Sequence, residues 1–565
     1  MKRKVAIAVG LAVAALLLLA VYRWRREEAP DERAAVDPAR QKIKYFWAVF
    51  NSASALRTQG RFREAAEAYR KCLELNPRHE DSLYYLGTSL YEQGEYAESL
   101  AALRKLTEAN PESGRGWAQL ANTLSTLAPG APQDFEAARQ AYQRNIEVNK
   151  EQAGPFLRLG TLDLNQGKLS EALTRFRLAV ASGAPEAGYL MAYTLFLQGK
   201  DHDAIPFLRK ILDAYGRGKK ITGKGVLSEG DLIPAPGKPL TALERAALKS
   251  ILLLYWISGR SDGHPAGVAA EFHLQPLPAA ARRSEGFAAT PSGGNSAAAP
   301  GGKRSVAVDF DADGQPERIE INPAVEGRDS LRYFHKTGDG WADRTEDAGL
   351  AGDGTAVDCA VGDYDRDGKP DLLVLYWKKG ARLYRNLGGG RFSDVTAASG
   401  LGEAAGDRYS ALFFDYDRDG WLDVLLTAHA PYEDAVRCLL EPHLRFARHT
   451  PLLFHNRGNG TFEDVTKAVG LDRCYGTMQV AVADFDGDGW PDLAFANGSL
   501  DAERLEPSVI LHNEGGKRFS EWSYLPGFSA PSNAVGLVVT EPKGGRRPAV
   551  RLIPNPILCR ARAAF

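Results

Sequence analysis

The chain has little of what cross-links, catalyses or recognises nucleic acid. Its five cysteines, at 72, 359, 438, 474 and 559, fall at no metal-ligand spacing and are too sparse for a disulfide framework. Pairing of Cys438 with Cys474 is conceivable, but independent buried thiols are the simpler expectation. No G-x-S-x-G nucleophile elbow, H-E-x-x-H metal helix or Cys/His signature occurs. Lys and Arg number 70 against 71 Asp and Glu, a net charge of −1, so there is no global basic field for nucleic acid. Uncharged apolar sequence is scarce too, with one long run, Val5 to Tyr22. At 565 residues the chain exceeds one ordinary core, and 44% hydrophobic residues suit folded domains.

What is abundant is aspartate at fixed spacing. Asp484-Phe485-Asp486-Gly487-Asp488-Gly489-Trp490-Pro491-Asp492 places carboxylates at loop positions 1, 3, 5 and 9 with glycine at 6. Three carboxylates on alternate residues converge on one ion only where the backbone curls, and Gly489 permits the curl. Such an oxygen cage suits a hard divalent cation. Strand-like residues, Val480–Ala483 and Leu493–Ala496, flank it, so the loop is not an EF-hand, which would enter a helix. The pattern recurs as Asp363, Asp365, Asp367 and Asp371; as Asp415, Asp417, Asp419 and Asp423; and as Asp309, Asp311, Asp313 and Glu317. Successive loops begin 54, 52 and 69 residues apart, at 309, 363, 415 and 484. In phase with them run hairpin sequences around Asn-Gly turns, Leu383–Thr396 and Leu453–Thr466. About four short strands per period make one propeller blade.

On these residues, the region from 303 to about 530 resembles the FG-GAP/VCBS-like repeats of integrin α-subunits, cartilage acidic protein-like proteins and many bacterial surface proteins. The resemblance implies an all-β propeller used for adhesion and for protein or glycan contact. The expected ligand is Ca²⁺ at several structural sites, with the Asp309 loop weaker than the others or different from them. Propellers of this kind generally close with seven blades, whereas here Val535–Val550 opens only a fifth, its loop replaced by Thr540–Arg547, and 551–565 is a tail.

Towards the N-terminus the period is 34 residues. Gly60 and Gly94 are 34 apart, as are Pro77 and Pro111, with small residues such as Ala65, Ala66 and Ala102 between them. Gly167 with Ala172 and Gly199 with Ala204 continue the pattern. These five units, 45–217, resemble tetratricopeptide repeats, an α-solenoid whose concave face holds a partner. The expected organisation is a membrane anchor with basic flanks over 1–26, a linker over 27–44, the solenoid over 45–217, a capping helix (240–257) and Ala/Gly/Pro/Ser-rich linker within 218–302, then blades over 303–550. Gly218–Gly225 approaches a phosphate loop, but Gly225 stands where Ser or Thr would bind Mg²⁺, so a basic loop is expected.

Val5–Tyr22 spans about 27 Å as a helix, close to a bilayer core. With no small-residue cleavage site before Arg23, it reads as an uncleaved single-pass anchor. Three basic residues precede it and three follow (within 23–26), so orientation rests on calcium, which is plentiful outside the cytoplasm. The bulk of the chain is expected there, in a bacterial periplasm or on a cell surface. Thr427–Pro451 and Gly498–Ser508 lengthen the third and fourth blades, and the first is expected to meet a partner. His429, His443, His449 and His455 are expected to be surface residues there. The functional expectation is a non-enzymatic interaction scaffold or adhesion protein. The alternatives are an envelope assembly or secretion factor and, more remotely, a propeller-type hydrolase or lyase.

Overall fold

A computed structural model describes residues 38–149, 153–217, 240–260 and 303–554, the last with breaks of which 325–329, 441–445, 522–533 and 541–548 are the longest. The apolar run 5–22, the basic loop at 218–225, the linker at 279–302, His443 and the tail beyond 554 lie outside the described residues. Among those that are described, no helix is long and apolar enough to cross a membrane.

Five helix pairs come first: α1 (Pro38–Thr58) with α2 (Phe62–Leu75), α3 (Glu80–Gln93) with α4 (Tyr96–Ala109), α5 (Gly114–Ser125) with α6 (Phe135–Val148), α7 (Ala153–Asn165) with α8 (Leu169–Ala181), and α9 (Pro185–Leu197) with α10 (Asp201–Arg217). The repeat glycines end the first helix of four pairs. Gly60, Gly94, Gly167 and Gly199 have φ of 76°, 80°, 73° and 74°, the left-handed cap that lets the next N–H reach back to the helix. Arg61, Glu95, Lys168 and Lys200 accordingly donate to the carbonyls of Leu56, Leu90, Asp163 and Leu195. The small residues are the crossing points: a Cβ on Gly160 would stand 2.5 Å from the Phe176 ring. A further helix, α11 (Ala242–Arg260), buries Ala247, Ile251 and Leu254 against α9 and α10.

The chain divides into two compact units, Met1–Ser89 and Leu90–Phe565. The second holds most of the helices and all of the sheets. Its sheets are four antiparallel meanders, β1 (Arg304–Val308) to β4 (Gly340–Asp343), β5 (Ala356–Gly362) to β8 (Arg391–Asp394), β9 (Ala411–Phe414) to β12 (Phe462–Asp464) and β13 (Thr477–Ala483) to β16 (Phe519–Glu521). A two-stranded sheet, β17 (Ala534–Thr540) with β18 (Ala549–Pro554), follows. The fifth blade is thus a hairpin, and it runs four residues into the stretch expected to be tail. First strands β1, β5, β9, β13 and β17 together border a space of about 1110 Å³, as blades around one axis do.

Meander topology sorts the loops. Turns from first to second strand and from third to fourth lie at one end of each blade; turns from second to third strand and the links between blades lie at the other. The Asp loops occupy the first end. The second end carries the long excursions, including α13 (Tyr432–Leu440) in the third blade, which follows the single-turn α12 (Thr396–Ser399).

The first of these excursions was expected to meet a partner; both pack against the chain's own solenoid. Val436, Ala502 and Leu505 share one apolar core with α8 to α11. Trp377, in the turn between β6 (Asp371–Tyr376) and β7 (Gly380–Gly388), shares another with Tyr96 of α4. Polar contacts fix the fit. Asn165 Nδ2 donates to Asp501 at 3.0 Å, the Tyr193 hydroxyl donates to the Ala502 carbonyl, and Lys379 Nζ lies 2.9 Å from Glu95.

Candidate metal loops at one end of the blades

Each Asp loop joins the first strand of a blade to the second, and the four loops share one hydrogen-bond plan. The position-1 carboxylate, Asp309, Asp363, Asp415 or Asp484, accepts the N–H of the position-6 glycine at 2.9 Å in every copy. Position 3, Asp311, Asp365, Asp417 or Asp486, accepts from the N–H of position 5 at 3.0–3.3 Å. Position 5, Asp313, Asp367, Asp419 or Asp488, accepts from position 7 at 2.7–3.0 Å. The curl needs two left-handed residues rather than the single glycine read from the sequence. Position 6 is always glycine, but position 4 is Ala312, Arg366, Arg418 or Gly487, with φ of 64°, 56°, 59° and 78°.

Position 9 begins the second strand and is fully buried as Glu317, Asp371, Asp423 and Asp492. One of its oxygens accepts the N–H of position 2, from Phe310, Tyr364, Tyr416 or Phe485, whose rings are buried in the blade cores. In three blades the other oxygen accepts the N–H of Asn386, Asn456 or Asn513 at 2.7–2.8 Å. Those asparagines, in the hairpin before its turn, also donate at 2.8 Å to the carbonyls of Phe310, Tyr364 and Tyr416 in the preceding blade. Position 9 therefore ties the loop to its blade and, through the asparagine, to its neighbour.

The carboxylates do not exhaust themselves in these bonds. Asp309 Oδ1, Glu317 Oε1 and Asp415 Oδ1 are buried without a hydrogen-bond partner. Asp309, Asp311 and Asp313 bring oxygens within 4.8 Å of one another, and so do Asp363, Asp365 and Asp371. Burial raises Asp371 and Asp423 to about 7 and Asp492 to about 6. Burial, with crowding by Asp419 and Asp488, also raises Asp417 and Asp486. Clustered, desolvated carboxylates with unused oxygens fit a hard divalent cation, which would accept those lone pairs and remove the repulsion.

A residue missed in the sequence faces each loop. Continuing the strand register by one pair sets His335, Arg385, His455 and His512 opposite position 9. His335, His455 and His512 each bring a ring nitrogen into a cluster with the carboxylates of positions 3 and 9. His455, expected on the surface of an inserted loop, instead stands on β11 (Leu452–Asn456) over its Asp loop. His429, placed with it, is largely enclosed, and His449 lies 3.0 Å from Asp434 of α13.

Arg385 makes the second loop different. Its Nε lies 2.7 Å from Asp365 and a terminal nitrogen 3.2 Å from Asp367, which Lys369 also approaches at 2.9 Å. Burial opposes ionisation of Asp367, yet Lys369 and Arg385 hold its pKa below the usual carboxylate value. This loop, expected to be stronger than the one at Asp309, already carries its own cations. Arginine at position 4 adds a clasp between blades: Arg366 stacks on Trp421 of the next loop at 4.6 Å, and Arg418 on Trp490 at 5.5 Å.

All four described cysteines are buried thiols, and Cys438 packs beside Cys474 without a disulfide.

Comparison with known proteins agrees with both repeat types. The FG-GAP-like repeat matches residues 309–374, 363–426 and 444–495, and the tetratricopeptide repeat matches 50–114 and 157–218. Cartilage acidic protein 1 of Homo sapiens is 29% identical over 190 residues, 32% of this chain but 26% of that protein, so the chain spans about a quarter of that relative's length. Among solved structures, MamA is 21% identical (29% of this chain, 95% of that one, TM-score 0.27). Pseudomonas aeruginosa pilF is 16% identical (41% and 91%, TM-score 0.31). YrrB, described as a TPR protein with an unusual peptide-binding site, is 24% identical (29% and 84%, TM-score 0.25). The chain carries tetratricopeptide repeats followed by FG-GAP-like repeats.

Proposed function

We propose that the protein is a non-enzymatic interaction scaffold whose blades are braced by Ca²⁺ in the Asp loops and whose solenoid is docked on the opposite end. The observation that carries the reading is the equivalence of the four loops. Each blade repeats the same carboxylate set and hydrogen-bond plan, whereas a catalytic centre would single out one copy. The ligands are the sixteen carboxylates of positions 1, 3, 5 and 9, with His335, His455 and His512 beside three of the sets. Residues 5–22 anchor the chain in a membrane, and the repeats face the calcium-rich side. Use of the solenoid as a platform for envelope assembly is the second reading, favoured by the tetratricopeptide match.

Thermal unfolding of the full chain in detergent, with millimolar Ca²⁺, Mg²⁺ or chelator, tests the brace. The midpoint should rise with Ca²⁺ and less with Mg²⁺, because 6–8 oxygens suit the larger ion. No shift with Ca²⁺ and no heat on titration would refute it. Reporter fusions after residue 40 and near Ser292, one active only inside and one only outside, test the orientation. Inside activity at both points would overturn it. Capture from detergent-solubilised envelope, followed by identification of what is retained, separates the scaffold from the assembly factor.

A further inference from the structure

Where the solenoid sits on the propeller, it encloses a cavity of about 380 Å³ lined by residues of both. One wall is a continuous arc of rings. Tyr91 and Tyr96 meet edge to face at 5.4 Å, and the Trp377 indole N–H donates to the Tyr96 hydroxyl at 3.1 Å. Trp377 lies 5.0 Å from Tyr409, which lies 5.1 Å from His429.

Among the described residues, two polar groups at this lining leave charge or hydrogen-bonding capacity unused. Asp407 is exposed at the edge of this lining; nearby protein raises its pKa by desolvation, with Lys378 and His449 opposing the rise from beyond ion-pair contact. It lines the cavity where solvent still reaches it. The cationic lining residues are engaged elsewhere: Lys249 with Glu433 and Glu503 at 3.2 and 2.6 Å, Lys378 with Glu92 at 3.8 Å, and Arg504 with Glu506 at 2.5 Å. Among the described residues, none pairs with Asp407. The second group is His429, kept neutral by burial and by Arg504 and turned toward the Gly476 backbone. Its Nδ1 is buried without a hydrogen-bond partner.

We propose that the cavity binds an organic cation, an ammonium or guanidinium group such as ends a lysine or arginine side chain. Asp407 supplies the opposite charge, and the tyrosine and tryptophan rings supply π faces. An anion would meet Asp407 and the electron-rich ring faces. An apolar guest would desolvate Asp407 without pairing it. A hard metal ion would need more oxygens than one uncompensated carboxylate offers. The inference is independent of the calcium loops, which lie at the other end of the blades.

Calorimetry on the full chain in detergent tests it with four probes: agmatine, Nα-acetyl-lysine methylamide, its uncharged norleucine analogue, and an acetylated peptide with one central lysine. Saturable binding of the cationic probes is expected, with the norleucine analogue silent. Asp407→Asn should weaken binding at least about tenfold, the loss expected for one charge-assisted hydrogen bond, without lowering the thermal midpoint. Binding of free agmatine points to a small amine, and binding of the peptide alone to a basic segment of a protein; either supports the proposal. Equal binding of the norleucine analogue, no saturable binding of any cationic probe, or unchanged affinity in Asp407→Asn overturns it. On the unmodified chain, methylguanidinium should protect Asp407 from carbodiimide-driven coupling to glycine ethyl ester, read by mass spectrometry. Absence of protection at saturating probe also counts against the site.

Discussion

Arg385→Ala would ask whether the second blade has replaced a bound ion with a side chain. Arg385 reaches Asp365 and Asp367 at 2.7 and 3.2 Å, but its side chain is 44% exposed, so solvent screens both pairs. Exposed pairs of this kind contribute about 0.2–1 kcal/mol each, and their loss in chelator should cost about 1 kcal/mol. With Ca²⁺ the sign should reverse. Removing the guanidinium frees carboxylates at positions 3 and 5, and an ion at a hundredfold excess over its Kd would add about 2.7 kcal/mol. Lys369 remains 2.9 Å from Asp367 and will hold the gain below that figure. The variant should therefore be less stable than the parent in chelator and at least as stable in millimolar Ca²⁺, by urea unfolding of the full chain. The converse, His455→Arg, places a cation over the loop at 415–423 and should remove part of the calcium-dependent stability. An identical loss for Arg385→Ala in both media would show that Arg385 is an ordinary surface ion pair and that the loop never takes an ion.

Asp486→Asn keeps an acceptor for the Asp488 N–H at 3.0 Å while removing a charge that Asp488 crowds; thermal midpoints should be level or slightly higher in chelator and lower in Ca²⁺. Asn513→Ala removes donors to the Tyr416 and Pro491 carbonyls at 2.8 and 3.1 Å and the acceptor of the Gly516 N–H at 2.8 Å. With buried carbonyls left unsatisfied, it should cost about 3 kcal/mol with or without calcium, and a loss under about 1 kcal/mol on urea unfolding would mean that the latch is not structural. Lys249→Met leaves Glu433 and Glu503 buried without their cation and should cost about 3–5 kcal/mol, whereas replacing all three by Met, Gln and Gln should recover most of it; the same urea titration decides.

Most of the blade architecture was legible because its signals are local. Alternating apolar residues, Asn-Gly turns and the 1-3-5-9 carboxylates lie within a dozen residues of one another, and each glycine that caps a solenoid helix sits at the fixed 34-residue period or near it. Contacts that cross the fold were less visible. Asn386, Asn456 and Asn513 bond to carbonyls 76, 92 and 97 residues away. The residue opposite position 9 follows it by 18, 14, 32 and 20 residues in the four blades, because the turn between second and third strands varies in length. A phase marker did exist: the residue is the one just before the hairpin asparagine in Arg385-Asn386, His455-Asn456 and His512-Asn513. The first blade hides it, since Lys336 follows His335. The excursions were only partly legible for the same reason. The stretch around Tyr432–Leu440 was expected to make a contact, but nothing local says that its surface is the solenoid until Val436 and Leu439 are seen packed with the solenoid core.

The polarity of that joint has a physical purpose. Lys249 stands between Glu433 of α13 and Glu503 of the fourth blade's excursion, all three groups largely withdrawn from water. Withdrawing an ammonium and two carboxylates costs about as much as their attraction returns, so the cluster adds little net stability. It strongly disfavours every other alignment. A slide of one helical turn, about 5.4 Å, would part Lys249 from both glutamates and leave three buried charges unpaired, whereas the apolar contacts around Val436 and Leu505 would tolerate a shifted packing. Each of the two excursions carries a carboxylate to the same lysine. Fixing that register also fixes the distance between α3 and α4 on one side and Trp377 and Tyr409 on the other, the dimension that sets what the aromatic cavity can admit.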